Sequence, residues 1–109
     1  MRITTWNVNG IRAVVKKDGF NWVDEIKPDV LGLQEIKAKP EQVPELLLEH
    51  QEYQSFWHSA ERPGYSGTAV LFKEEPLSIQ TGLDKEEYDN EGRTIRVEYN
   101  DFFLYVIYF

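Results

Sequence analysis

Short apolar runs, broken by turn-forming residues, recur along the chain and predict strands mixed with short helices. Alternating or continuous β-forming residues mark the predicted strands: 2–8, 30–33, 53–58, 68–72, 77–81, 94–99 and 102–109. Apolar residues spaced three or four apart mark the predicted helices: 11–17, 20–27 and 40–49. In the third of these helices Val43, Leu46 and Leu47 are expected to face the core.

The order of these elements predicts an α/β fold with one mixed β-sheet and helices on one face. Strands 68–72 and 102–109 are apolar on both faces, which is typical of a sheet covered on both sides. We therefore expect one apolar face of the last strand to need a partner, most simply a second copy in a two-fold dimer. Two alternating sets are candidates for this face: Phe103, Tyr105, Ile107 and Phe109, or Leu104, Val106 and Tyr108.

Length and composition restrict the class of protein. The 109 residues suit one small domain, and 14% aromatic residues supply material for its core. The absence of cysteine excludes disulfides and thiolate metal sites, and makes a reducing cytoplasm the expected setting. No apolar run has the length of a membrane span, and the first residues lack the profile of a signal peptide.

Charge is distributed unevenly along the chain. The net charge of −7 argues against generic nucleic-acid binding through a basic surface. Residues 1–40 hold seven Lys and Arg against five Asp and Glu, a balance of +2, whereas residues 41–109 hold five against fourteen, a balance of −9. We therefore expect any anionic ligand to be bound by the first forty residues.

Polar side chains cluster directly after the buried run 30–33. Gln34, Glu35 and Lys37 follow it, at the strand end where open α/β sheets place their chemistry. A carboxylate on a rigid element beside an amide suits a hard divalent cation with oxygen ligands. The same residues also fit the start of an ordinary solvated loop, and the local pattern leaves both interpretations open.

Other candidates are weaker when each is taken singly. Asn7 and Asn9 end the first strand, where Asn is common as a turn residue or helix cap. The basic residues of segment 11–17 favour phosphate binding but also fit a solvated face. The glycines of segment 64–67 allow a ligand to approach the backbone and are equally typical of a hairpin turn. His58, with no second His or Cys at ligand spacing, is more typical of a structural histidine than of a metal ligand.

Three segments together resemble the exonuclease III family of class II apurinic/apyrimidinic endonucleases, within the wider endonuclease/exonuclease/phosphatase fold. Segment 5–13, TWNVNGIRA, is similar to the family's opening strand and turn. Segment 28–37, PDVLGLQEIK, matches the family's best-known signature at all ten positions. GYSG at 64–67 and EGR at 91–93 follow in the family's order and spacing, so the resemblance covers the whole chain.

The resemblance implies a Mg²⁺-dependent DNA-repair nuclease, with Mn²⁺ as a substitute, that hydrolyses phosphodiester bonds of duplex DNA at abasic sites or acts as a 3′→5′ exonuclease at 3′ ends. Glu35 would bind the catalytic metal, and Asn7 would help to orient the metal-bound water or the scissile phosphate. Contacts to DNA would come from five residues: Arg12, Ala13, Lys17, Tyr65 and Arg93. Some members carry Asp at the position of Asn9, so the Asn here lacks the charge of a second metal-site carboxylate.

The resemblance also implies that residues 1–109 are the N-terminal half of a four-layered α/β sandwich and supply one of its two sheets. In the family, a Pro-Asn turn, a catalytic tyrosine, an Asp-x-Asn pair and an Asp-His pair follow after Tyr108-Phe109. We therefore expect an inactive fragment, completed by the missing C-terminal half or by a second copy. Two alternatives are a non-catalytic DNA-binding or assembly module, and phosphoinositide or sphingomyelin chemistry on the same fold. Segments 34–37 and 64–67 favour the DNA branch.

Overall fold

The computed structural model describes residues 1–83 and 89–109. The acidic segment 84–92, which the sequence predicts as a loop before the strand 94–99, lies mostly outside the described residues. Its strands are β1 (Ile3–Asn7), β2 (Val30–Gln34), β3 (Gln54–His58), β4 (Thr68–Phe72), β5 (Ser78–Thr81), β6 (Thr94–Glu98) and β7 (Phe103–Ile107). Its α-helices are α1 (Ile11–Lys16), α2 (Trp22–Ile26) and α3 (Glu45–Leu48), and a 3₁₀ turn covers Pro40–Gln42. Within the described ranges, no helix has the length and apolar character needed to cross a bilayer.

The strands form two sheets. In the first sheet the order is β1-β2-β4-β3, with β1 parallel to β2 and the other neighbours antiparallel. The second sheet is antiparallel, in the order β5-β6-β7. The predicted α/β class, with a mixed sheet and helices, is confirmed. The expectation that this chain supplies a single sheet is wrong, because the apolar pattern of a strand does not specify which strands it pairs with.

Side-chain alternation along β2 and β4 builds two separate cores, one on each face of the first sheet. The face toward the helices carries Leu31, Leu33, Ala69 and Leu71. The face toward the second sheet carries Val30, Val70 and Phe72, which pack with Ile95, Val97 and Val106. Gly32 marks the close approach of the two sheets, since a Cβ atom there would lie 3.0 Å from a methyl of Val106. The second sheet thus covers the face of the first sheet that lies opposite the helices.

Pro44 divides the segment 40–49, which the sequence predicted as one helix. Val43 and Pro44 are extended, with ψ of 132° and 136°, between the 3₁₀ turn and α3. Proline has no N–H to donate and holds the residue before it out of the helical region. Val43 and Leu47 are buried as expected, but Leu46 is 62% exposed because the break changes the phase of the apolar positions.

The outer face of β7 keeps one apolar set in solvent. Phe103 and Tyr105 are 54% and 49% exposed, and Phe109 is fully exposed. The alternate set packs toward the first sheet through Val106 and Leu104. The first of the two predicted sets is therefore the exposed one. β1 and β7 are also edge strands of their sheets, each paired on one side among the described residues.

Candidate active site

The C-terminal ends of β1 and β2 lie side by side and bring the predicted metal ligands together. Asn7 is opposite Gln34 in the parallel register, and the N–H of Val8 donates to the Gln34 carbonyl at 3.0 Å. Glu35 follows Gln34 directly, so the Asn7 amide and the Glu35 carboxylate share one edge of the sheet. The polar cluster after β2 is therefore held at the edge of the sheet, next to the end of β1.

The backbone of this cluster is strained. Glu35 and Lys37 have φ of 59° and 53°, in the left-handed region that residues with a Cβ rarely adopt. Such a conformation costs about 1–3 kcal/mol per residue and persists only where neighbouring groups hold it. Four backbone hydrogen bonds hold the segment: Gly10 N–H to Glu35 C=O at 2.8 Å, Ile11 N–H to Ile36 C=O at 3.0 Å, Ile36 N–H to Gly67 C=O at 3.2 Å, and Lys37 N–H to Ser66 C=O at 2.9 Å.

The GYSG segment, residues 64–67, packs directly against the backbone that carries Glu35. A Cβ atom at Gly67 would lie 2.5 Å from a side-chain carbon of Ile36, and its φ of 91° also favours glycine. Gly64, in contrast, has open space where a Cβ would lie. The sequence left ligand approach and a simple turn open for this segment. Gly67 is there to let the loop pack against the backbone that carries Glu35.

A lysine lies beside the Glu35 carboxylate. The Lys37 ammonium is 3.7 Å from a Glu35 oxygen and donates to the Asn9 side-chain oxygen at 2.7 Å. The Lys37 carbonyl in turn accepts from the Arg12 guanidinium at 2.9 Å. Asn7 fills the turn role that the sequence allowed, because its side-chain oxygen accepts the Asn9 N–H at 3.0 Å. Positive charge therefore partly offsets the carboxylate before any cation binds.

Tyr108 contacts the same carboxylate from the second sheet, and the sequence did not assign it to the site. Its phenol lies near enough to the Glu35 carboxylate for the two groups to interact. Partial burial, followed by the neighbouring Glu35 carboxylate, raises the pKa of Tyr108. The phenol is therefore protonated at neutral pH and can donate to the carboxylate. The sequence offered one clue, because Tyr108 continues the alternation of Leu104 and Val106, whose side chains pack toward the first sheet.

Arg93 joins Tyr65 to Tyr108. Its guanidinium donates to the Tyr65 hydroxyl at 2.8 Å, to a Glu91 carboxylate oxygen at 3.3 Å and to the Tyr108 carbonyl at 3.4 Å. The Tyr65 hydroxyl donates to Glu91 at 3.1 Å. Hydrogen bonds from Arg93 and then Tyr65 lower the pKa of the Glu91 carboxyl group. Two predicted DNA contacts are thus connected through Tyr108 to Glu35.

Comparison with known proteins places the chain in a family. Residues 4–109 match the Endonuclease/Exonuclease/phosphatase family. The chain belongs to this family. It is 47% identical over 110 residues to "DNA repair nuclease APEX1" of Danio rerio and 41% identical over 109 residues to an exodeoxyribonuclease of Bacillus subtilis. A solved structure of a 3′ phosphatase from Neisseria, bound to a product DNA hairpin, is similar with a TM-score of 0.82 at 27% identity.

These comparisons confirm the resemblance to exonuclease III and the apurinic/apyrimidinic endonucleases. Each covers 99% of this chain. The chain spans 36% and 42% of the two curated relatives and 41% of the solved structure. The endonuclease/exonuclease/phosphatase fold of this chain is therefore the counterpart of less than half of each of those proteins.

The remaining predicted contacts of this family member lie on α1 and just after it. Arg12, Ala13 and Lys17 are exposed. Of these, Arg12 is tied to the site through the Lys37 carbonyl, whereas Lys17 lies at the other end of the helix, where its N–H bonds the Ala13 carbonyl at 3.2 Å. Arg12 is therefore next to Lys37 and the site, whereas Lys17 lies at the far end of α1.

The donor atoms present fit a weakly held Mg²⁺ ion. Asn7 and Glu35 offer oxygen atoms, the ligand type that hard cations take. Among residues 1–83 and 89–109 there is no group of three or more His, Cys, Asp or Glu that could hold a metal, so a cation there would keep most of its waters. His58, for which the sequence favoured a structural role over metal binding, has a buried Nε2 without a hydrogen-bond partner in the described part of the chain, and burial lowers its pKa.

Proposed function

We propose that this chain is the metal-binding and DNA-facing portion of a DNA-repair nuclease, which hydrolyses phosphodiester bonds of duplex DNA at abasic sites, at 3′ ends or at both. The names of the similar proteins support this proposal, and one similar structure holds a DNA hairpin. The observation that carries it is the Glu35 carboxylate, held on a strained backbone where β1, β2 and Tyr108 meet.

The proposed cofactor is Mg²⁺, with Mn²⁺ as a substitute, and Glu35 and Asn7 are the residues that would hold it. When bound, such an ion polarises a phosphoryl oxygen and stabilises the leaving 3′ oxygen. The Lys37 ammonium at 3.7 Å offsets part of the Glu35 charge. We therefore expect weak binding that depends on the single carboxylate.

The protein's own groups have distinct proposed roles at the scissile phosphate. The Asn7 amide orients the phosphate or the water that attacks it. Tyr108 acts as a hydrogen-bond donor and not as a base, because its raised pKa keeps the phenol protonated at neutral pH. Lys37 contributes positive charge and holds Asn9 in its turn through the 2.7 Å hydrogen bond. Activation of the attacking water is left to groups outside this set.

Five residues are the proposed DNA contacts: Arg12, Ala13, Lys17, Tyr65 and Arg93. The basic residues of α1 suit contacts to backbone phosphates, which position a duplex without reading its sequence. Ala13 is small and exposed, so a phosphate can approach the backbone there. Tyr65 offers an aromatic ring beside the Arg93 guanidinium, at 5.8 Å from the ring centroid. This arrangement extends from α1 to the GYSG loop, across Glu35.

Metal binding by the purified chain tests this function. Isothermal titration with MnCl₂ and MgCl₂ is expected to show weak binding that disappears in Glu35→Gln, which removes the charge at nearly constant shape. The matched control is Glu49→Gln, a change to an exposed carboxylate just after α3. Unchanged binding in Glu35→Gln, or equal loss in both variants, would remove Glu35 from the proposed role.

We also propose what covers the exposed apolar set on β7. A second copy of this chain can pack there in a two-fold dimer, or the C-terminal portion that the longer relatives possess can cover it. The exposure of Phe103, Tyr105 and Phe109 supports such an interface. The proposed compartment is the cytoplasm, which suits a chain without cysteine.

A further inference from the structure

A groove lies beside Tyr65, between the loop after β3 and the segment before β6. Its lining residues are Ala60, Glu61, Arg62, Tyr65, Asn90 and Glu91. Two cations flank the ring of Tyr65, since the guanidinium carbon of Arg62 is 5.0 Å from the ring centroid and that of Arg93 is 5.8 Å away. The proposed function uses only the second of these arginines.

The two arginines differ in what they bind. The Arg93 guanidinium donates hydrogen bonds to the Glu91 carboxylate, the Tyr65 hydroxyl and the Tyr108 carbonyl. Arg62 is exposed, and the ion pairs and hydrogen bonds of the described residues do not include it. Stacking on an aromatic face leaves the in-plane N–H donors of a guanidinium free. The guanidinium of Arg62 thus has free N–H donors, and a guanidinium can bind a phosphate through two parallel hydrogen bonds.

The loop that carries Arg62 is anchored on both sides. The Lys39 ammonium donates to the carbonyls of Ala60 and Glu61, at 2.5 Å and 2.9 Å. The Glu61 N–H donates to the Asn90 carbonyl at 2.9 Å, which joins the two walls of the groove. The ring under Arg62 is fixed as well, because its hydroxyl is bonded to Glu91. Little ordering is therefore left to occur when an anion binds.

Although residues 41–109 carry a balance of −9, neither carboxylate that lines the groove, Glu61 or Glu91, forms an ion pair with Arg62. The Glu91 carboxylate accepts hydrogen bonds from Arg93 and Tyr65. Glu61 is exposed and its backbone, rather than its side chain, makes the contacts of the groove. The adjacent Tyr65 is already a proposed DNA contact, so the groove lies next to the path of the duplex.

We propose that Arg62 binds a backbone phosphate of duplex DNA in this groove and extends the DNA surface beyond Tyr65. The inference rests on the proposed function, because the ligand is the same duplex. The contact is to a phosphate, so it adds affinity without sequence preference. Arg62 has no part in the reaction itself.

Salt dependence of binding tests this contact. The ligand is a fluorescently labelled duplex carrying a stable abasic-site analogue, titrated with the purified chain in EDTA at a series of NaCl concentrations. Each phosphate contact contributes about 0.9 to the slope of log K against log [NaCl]. Arg62→Ala is expected to reduce the slope by about this amount and to weaken binding severalfold. Arg62→Lys is expected to keep the slope while losing part of the affinity, because the charge remains and the fork is lost.

Arg96→Ala is the matched control. The Arg96 guanidinium also stacks on an aromatic ring, 5.2 Å from the Phe103 centroid, on the outer face of the second sheet. Lys73→Ala, at an exposed lysine 5.9 Å from the Tyr53 ring, provides a second loss of one charge. Both are expected to leave the slope unchanged, with Tm measured for every variant.

The outcomes separate the two proposals. Equal reductions of the slope in Arg62→Ala and in the controls would show an effect of net charge alone and overturn the role of Arg62. Wild-type binding with an unchanged slope in Arg62→Ala would do the same while leaving the proposed function intact. Failure of the wild-type chain to bind the duplex at low salt would overturn the proposed DNA surface, and this inference with it.

Discussion

The ammonium group of Lys37 lies 2.7 Å from the side-chain oxygen of Asn9. The same ammonium is 3.7 Å from the Glu35 carboxylate, so one cation serves one neutral amide and one anion. The formal charge of this trio is therefore zero. A carboxylate in place of the Asn9 amide would change the balance to −1, which bears directly on how well the site can hold a divalent cation.

Asn9→Asp is expected to tighten Mn²⁺ binding by roughly five- to tenfold. An added unit charge near the cation, in a partly solvated site, is worth about 1 kcal/mol. Asn9 has φ of 47°, so Asn9→Gly is the control that accepts this backbone and adds no charge. Calorimetry should show tighter Mn²⁺ binding than wild type for Asn9→Asp and no gain in affinity for Asn9→Gly. Equal affinities in the two variants would mean that the charge of position 9 does not reach the metal.

Gly67→Ala is expected to destabilise the fold and to displace the Glu35 backbone. The new Cβ would meet Ile36 at 2.5 Å and would also force φ of 91° on a residue with a side chain. We expect a loss of about 2–4 kcal/mol in the free energy of unfolding, measured with urea. Gly64→Ala, with positive φ but open space, should cost only about 1 kcal/mol. Similar losses in the two variants would contradict the close packing at Gly67.

Tyr53 should make stability depend on pH in the alkaline range. Burial, followed by nearby carboxylates, raises the pKa of Tyr53 to about 12, and its hydroxyl donates to the Pro28 carbonyl at 2.6 Å. Because the folded-state pKa lies above the ordinary value of about 10, this contribution is complete below pH 10 and is lost as the pH rises toward 12. Tyr53→Phe should cost about 1–2 kcal/mol at pH 7 and flatten the fall between pH 10 and 12.

The control for this measurement is Tyr105→Phe, a change at an exposed tyrosine of β7. Urea unfolding at a series of pH values gives both free energies. An alkaline fall of the same steepness in wild type and Tyr53→Phe would assign the pH dependence to other groups.

The 109-residue chain by itself is expected not to incise abasic DNA. Groups that position or activate water contribute about 10²–10⁴-fold each, and the described part of the chain holds no cluster of three or more His, Cys, Asp or Glu side chains. The assay is incision of an abasic duplex in the presence of Mg²⁺, with and without the C-terminal portion of a longer relative supplied in trans. Robust turnover by the chain alone would show that catalytic groups have been missed within it.

The isolated chain is expected to self-associate through the exposed set on β7. Phe103, Tyr105 and Phe109 present apolar surface that a monomer would leave in water. Sedimentation equilibrium should report a dimer, and Phe103→Ser combined with Tyr105→Ser should shift the chain to monomer. A well-folded wild-type monomer at tens of micromolar protein would contradict the proposed dimer. The remaining proposal would then be that the C-terminal portion of the longer relatives covers the exposed apolar set on β7.

Local pattern in the sequence was sufficient to predict most elements and the position of Glu35 at the end of a buried strand. The run Thr68–Phe72 was predicted with the bounds that the structure has, because five apolar or β-branched residues between turn formers have few other solutions. Glu35 was predicted because the covalent chain itself places it directly after a buried strand. The family signature in segment 28–37 added its chemical role. The helix over 40–49 was wrong because the apolar spacing was weighed without the backbone restriction of Pro44.

The tertiary structure decided what meets Glu35. Tyr108 reaches it from another sheet, and Arg93 links Tyr108 to Tyr65, although these residues are far apart along the chain. Such contacts depend on strand pairing and on how two sheets pack, and a period of two residues specifies neither. The same limit explains why the second sheet was not foreseen. The sequence alone determined which polar residues stand at the ends of the strands, and the packing of the sheets determined which of them meet, because side chains remote in sequence come together only when the surfaces between them are buried.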